Sequence, residues 1–167
     1  MDTQMMAHTV VAELAKRGLT VASAESCTGG MVAKYLTAVP GASAVFECGV
    51  VAYANRIKEQ LLGVSGETLG HFGAVSRQTA EEMARGIRLA AKSDIGIATT
   101  GIAGPSGGTP EKPVGTVYIA AAGEKGCICE KLSLLKTCGN DRETIREETV
   151  NRLLQLVIKG LDRHDIL

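Results

Sequence analysis

The stretch Ala24-Glu25-Ser26-Cys27-Thr28-Gly29-Gly30 sets two hydroxyls, a thiol and two glycines between an apolar, β-leaning run (19–24) and a helical one (28–38). A strand-to-helix turn gathers unpaired N–H groups and the positive end of a helix dipole. A serine oxygen there lies close to donors that can hold an oxyanion. Gly29 and Gly30 let a substrate approach the backbone closely. A plainer reading makes Ser26 or Thr28 an N-cap, worth about 1 kcal/mol, and packs Cys27 as a small apolar residue. A cysteine nucleophile also wants a nearby base, yet His8, His71 and His164 read as surface or terminal residues. "GVVAYANRIK" (49–58) offers another base, Lys58. Lysine accepts a hydroxyl proton where burial or nearby positive charge lowers its pKa from about 10.4 toward 7–8. Serine–lysine pairs do this where no histidine serves. Tyr53 is spaced to relay the proton or orient the amine. The competing reading leaves Lys58 solvated at a helix start and Tyr53 in the core.

Between Thr100 and Gly115 the chain reads "TGIAGPSGGTPEKPVG". Glycines open unusual backbone angles, prolines restrain them, and a loop this long inside a small domain is more often functional than idle. Its N–H groups suit an anion, although it is no Walker A loop. The alternative is a surface excursion. In "GNDRETIRE" (139–147), Asp141 can cap a helix that carries Arg142 and Arg146 on one face. Two arginines near a helix start suit a phosphate. Equally, they can pair with Glu143 and Glu147.

The elements that must position these groups follow from periodicity. Met6, Val10, Val11 and Leu14 predict a helix over 3–17, stopped by Gly18. Strands are predicted within 19–24, 44–55, 94–101, 115–123 and 127–137, helices over 28–38, 56–63, 76–93 and 141–161, and a short helix with a turn over 65–75. The last helix places Ile145, Thr149, Leu153, Leu156 and Val157 on one face. Helices alternate with strands until two strands meet, which predicts a three-layer α/β/α sandwich with a mixed, mostly parallel sheet. Cys127-x-Cys129 reads as strand alternation, both side chains on one face, rather than as a metal knuckle.

The chain has 167 residues, the size of one domain, and residues 1–167 are expected to form a single one. About 70% of the unfolded surface can be buried at this length. Lys plus Arg and Asp plus Glu are 18 each, so broad electrostatic capture of nucleic acid or an anionic membrane is not expected. No apolar run approaches the roughly 18 residues of a membrane span, and the first residues lack a secretion pattern. Five irregularly spaced cysteines argue against a disulfide framework and fit a reducing cytoplasm.

"AESCTGG", "GVVAYANRIK", "GAVS", "TTGIAGPSGGTPEKPVGTVY" and "NDRETIR" follow one another in this sequence. In that order and spacing, the chain resembles the CinA C-terminal domain family, which includes bacterial nicotinamide-nucleotide amidases. The resemblance runs from about residue 5 to 160. It implies an α/β/α fold and hydrolysis of the carboxamide of nicotinamide mononucleotide to nicotinic acid mononucleotide and ammonia, within pyridine-nucleotide recycling. It implies Ser26 as nucleophile, Lys58 as base and Tyr53 as the assisting tyrosine. Thr28, Gly29 and Gly30 fall on the turn that shapes the oxyanion site. Asn55, Thr100, Gly101, Gly104, Gly108 and Thr109 fall on substrate-binding segments, and Arg142 on a phosphate ligand. Cys138–Arg142 carries one apparent extra residue against the common family pattern. No metal and no cofactor are implied. A stand-alone domain is expected, without the larger amino-terminal domain of many CinA proteins, and a homo-oligomer is compatible with it. Two alternatives keep the same pocket: a non-catalytic nucleotide-binding or partner-binding domain, and an amidase for another small amide.

Overall fold

The computed structural model describes residues 2–166. In chain order these form α1 (Thr3–Arg17), β1 (Val21–Glu25), α2 (Met31–Thr37), β2 (Phe46–Val51), α3 (Asn55–Leu62), α4 (Gly66–Phe72), α5 (Arg77–Ala91), β3 (Ile95–Gly101), β4 (Thr116–Ala122), β5 (Cys127–Ser133), α6 (Leu135–Cys138) and α7 (Arg142–Arg163). One sheet runs in the order β2-β1-β3-β4-β5. β1 pairs in parallel with both β2 and β3, while β4 runs antiparallel to β3 and β5. Four strands thus share a direction and β4 opposes them. The fold is the expected α/β/α sandwich with a mixed sheet.

The two faces carry separate cores. α1, α2 and α7 bury Leu14, Leu36, Leu153 and Val157 against one face of the sheet. α3 and α5 bury Leu62, Met83 and Ile87 against the other. All five residues of β1 are buried, as befits a strand covered on both sides. β2, at the sheet edge, alternates half-buried and exposed residues. α1 begins at Asp2, whose carboxylate accepts the Met5 N–H, and ends at left-handed Gly18. Cys127 and Cys129 lie against the same core, so the pair is strand alternation.

Three boundaries differ from expectation. The helix expected from residue 28 starts only at Met31, because Gly29 and Gly30 take φ of 58° and 97°. The strand expected over 44–55 is confined to Phe46–Val51 and follows a 3-10 turn at Ala42–Ala44. The strand expected over 127–137 ends at Ser133, and Leu135–Cys138 coils into α6.

The crossover after β1 packs on one face and that after β2 on the other. The carboxyl end of β1 therefore sits between β2 and β3, where the winding changes side and ligands bind in open α/β sheets.

Candidate active site

β1 delivers Glu25 into the interior, 1% exposed. Its carboxylate turns back onto the helix that follows. Oε2 accepts the N–H groups of Gly30 and Val32, both at 3.0 Å, and Oε1 accepts that of Ala33 at 2.9 Å. The Thr28 hydroxyl donates to the same carboxylate at 2.6 Å. Glu25 thus satisfies the orphan donors of α2, a role for which the sequence offers Ser26 or Thr28. The Ser26 hydroxyl instead meets Lys58.

Lys58 lies in the first turns of α3 and is 1% exposed. Its Nζ is 2.9 Å from the Ala52 carbonyl oxygen, 3.1 Å from that of Tyr53 and 3.2 Å from Ser26 Oγ. Among the described residues no carboxylate pairs with it. Burial therefore lowers its pKa from the ordinary lysine value. A thiolate at Cys27 would oppose that shift. Burial, however, pushes the Cys27 thiol up to about 12, so it stays protonated at neutral pH. The start of a helix also disfavours a cation. A neutral amine has two N–H bonds and one lone pair. With both N–H groups on the Ala52 and Tyr53 carbonyls, the lone pair points at the Ser26 hydroxyl, which can then donate to it. A neutral lysine at this contact is placed to accept a proton from the serine hydroxyl.

The depth of Lys58 depends on how closely α3 packs. A Cβ at Gly86 of α5 would stand 1.9 Å from the Leu62 carbonyl oxygen, so only glycine admits α3 to this distance. Opposite, Thr99 of β3 pairs with Glu25 in the parallel register. Its carbonyl accepts the Ser26 N–H at 3.0 Å, and its hydroxyl lies 2.8 Å from that of Thr28.

Tyr53 meets Lys58 through its backbone. Its side chain is 61% exposed, and its hydroxyl accepts a hydrogen bond from Arg142 Nη2 at 3.1 Å. Arg142 Nη1 donates to the Gly104 carbonyl at 2.8 Å, so this arginine joins Tyr53 to the glycine loop. Arg146, one turn later, pairs with Glu143 at 2.7 Å and donates to the Thr28 carbonyl at 2.8 Å. Glu147 takes the Tyr35 hydroxyl instead of an arginine.

The remaining expected residues divide. Thr28, Gly29 and Gly30 form the turn itself. Asn55 opens α3 at the surface. The Thr100 hydroxyl is committed to the Ala74 carbonyl at 2.7 Å, and Gly101 lies flat against β4, where a Cβ would come within 2.8 Å of Val117 Cα. Gly108 and Thr109 belong to a tight turn in which Thr109 exchanges hydrogen bonds with the Lys112 backbone. Lys112 fastens that turn to the body, donating to the Phe72 and Val75 carbonyls at 2.9 and 2.7 Å.

Sequence reasoning missed the roles of Glu25, Thr99 and Lys112. Only Glu25 carried a signal: an acid at a strand end, three residues before a hydroxyl and five before the second of two glycines. A hollow of about 390 Å³ lined by Arg17, Leu19, Arg88, Asp94 and Glu124 lies where β1 and β3 begin, far from this chemistry, and holds no nucleophile.

Fold and site together define an α/β/α domain in which a buried lysine faces a serine at a strand-to-helix turn. The family model for the CinA C-terminal domain matches residues 3–161, and the chain belongs to that family. A CinA-like protein of Anaeromyxobacter dehalogenans (strain 2CP-1) is 53% identical over 148 residues, which is 89% of this chain and 35% of the relative. The chain spans 35–39% of the length of the curated relatives it matches. The crystal structure of competence/damage inducible protein CihA from Agrobacterium tumefaciens superposes with a TM-score of 0.90 at 41% identity, covering 95% of both chains. A CinA superfamily protein from Klebsiella pneumoniae does so with 0.91 at 32% identity, covering 98% of this chain and 99% of that one.

Proposed function

We propose that the protein is an amidohydrolase that converts nicotinamide mononucleotide to nicotinic acid mononucleotide and ammonia through a Ser26–Lys58 dyad. The observation that carries this reading is the 3.2 Å contact between Lys58 Nζ and Ser26 Oγ, made by a buried amine that holds two carbonyls and, among the described residues, lacks an anionic partner. Membership of the CinA family supports it.

Ser26 Oγ bonds to the carboxamide carbon as its proton passes to Lys58 Nζ. The carbonyl oxygen becomes an oxyanion. Its collapse breaks the C–N bond, and Lys58 returns the proton to the departing ammonia. An ester on Ser26 remains. Water then attacks this ester, again giving a proton to Lys58, which delivers it to Ser26 Oγ as the carboxylic acid leaves and ionises by losing its remaining proton to solvent. The Arg142 guanidinium and the loop from Gly104 to Thr109 are the groups suited to the 5′-phosphate. Five unpaired thiols accord with a cytoplasmic location.

The test is ammonia release from nicotinamide mononucleotide. Wild type releases it; Ser26→Ala and Lys58→Arg lose about 10²–10⁴ in kcat, since a guanidinium stays protonated and accepts nothing. A silent wild type, or full activity in either variant, overturns the reading.

A further inference from the structure

We infer that Glu25 is a positioning residue: its carboxylate occupies the start of α2 from within and fixes the turn that presents the Ser26 hydroxyl to Lys58 and sets the Cys27 amide beside the nucleophile. This rests on the hydrolase reading and adds the source of the turn's geometry.

A helix start is a ready anion site, and here an internal anion fills it. Glu25 receives four donors, from Thr28, Gly30, Val32 and Ala33, and no cation is paired with it among the described residues. The Thr28 hydroxyl gives its proton to Glu25, so the Thr99 hydroxyl donates to Thr28 oxygen. The other amides of the turn are also spent. That of Ser26 goes to the Thr99 carbonyl, that of Gly29 to the Ser26 carbonyl at 3.1 Å, and that of Gly30 to Glu25. Arg146 holds the Thr28 carbonyl at 2.8 Å. Among the described residues the Cys27 N–H meets only its own sulfur, while Thr28, 0% exposed, keeps its N–H out of a ligand's reach. The Cys27 amide directly follows the nucleophile, where a developing oxyanion needs a donor.

A negative charge beside an oxyanion would oppose it, so the contribution of Glu25 is geometric. Glu25→Gln would keep an oxygen toward Thr28, Gly30 and Val32 and lose only the Ala33 contact; Glu25→Ala loses all four. Glu25→Ala is therefore expected to lower kcat by roughly 100-fold or more, with KM within about threefold, and Glu25→Gln by about tenfold. The rate at which a fluorophosphonate probe labels Ser26, read by intact mass, is expected to fall in parallel and does not depend on the natural substrate. Thermal melts separate these effects from unfolding. Glu25→Ala that is folded and within threefold of wild type in both readouts overturns the inference. Should that variant not fold, a folded Glu25→Gln with unchanged kcat, or a loss confined to KM, overturns it. Wild type that is labelled but silent on nicotinamide mononucleotide overturns the substrate reading alone. Wild type that is neither labelled nor active overturns both.

Discussion

Lys58 Nζ and Ser26 Oγ stand 3.2 Å apart, although 32 residues separate them in the chain. The contact joins the first turns of α3 to the end of β1. The amine is buried and the serine half-buried, and among the described residues the amine has two carbonyls and a hydroxyl but no anion. Each group around it has a defined partner, so single substitutions have separable consequences.

The charge of Lys58 couples stability to pH. Its folded pKa is depressed, so between that value and about 10.4 the unfolded chain binds more protons than the folded one. Stability then rises with pH through that window, and the penalty of burying the charge is fully present below it. Lys58→Met removes the titration. Wild type is expected to gain stability relative to Lys58→Met as pH is raised, measured by urea unfolding at a series of pH values. The rate constant kcat/KM should climb through the same depressed pKa. A stability difference that stays flat with pH would mean an unshifted amine.

Tyr53 and Arg142 separate orientation from substrate binding. The Tyr53 carbonyl holds Lys58, and its hydroxyl holds Arg142. Tyr53→Phe keeps the carbonyl, and kcat is expected to change by less than about tenfold. Arg142→Ala is expected to raise KM for the mononucleotide by roughly 10–100-fold, the scale of a lost charge-assisted contact at about 1.5–3 kcal/mol. Steady-state kinetics with the nucleotide and with free nicotinamide checks both, since the second lacks the phosphate. A kcat collapse in Tyr53→Phe would assign the phenol to proton transfer.

Gly86→Ala sets two effects against each other. Helix propensity alone favours alanine by about 1 kcal/mol. A Cβ placed 1.9 Å from the Leu62 carbonyl oxygen reverses that sign, because α3 must shift. Overpacking of this kind costs about 1–3 kcal/mol. The urea midpoint should fall, and kcat with it, as Lys58 moves. A more stable variant would show that α3 yields freely.

Cys27 is expected to be chemically silent. With its thiol pushed up to about 12, roughly one molecule in 10⁵ is a thiolate at pH 7. Iodoacetamide should leave it unmodified in the folded protein, as peptide mapping would show, and Cys27→Ala should keep most activity. Rapid alkylation with loss of turnover would make the thiol the nucleophile.

Local pattern carried much of the architecture. Met6, Val10, Val11 and Leu14 announce α1 at helical spacing, and Ile145, Thr149, Leu153, Leu156 and Val157 do the same for α7; all are buried. The strand-turn-helix at 21–37 was legible too, but not where its helix starts. That start depends on Glu25 folding back over its own turn, which no periodicity records. Lys58 was legible as a candidate base and not as a buried one. In a short amphipathic helix a lysine reads as the wet side, yet here Lys58 is buried along with Leu62.

Residue order along the chain determined most of the element types, the layered fold and the set of groups able to do chemistry, because spacing and side-chain polarity act over a few residues. Tertiary structure decided which of them meet. The parallel pairing of β1 with β3 sets Thr99 beside Glu25, and the close approach of α3 to Gly86 seals Lys58 from water. The proton affinity of that amine is a property of its surroundings, and those surroundings come from segments that only folding brings together.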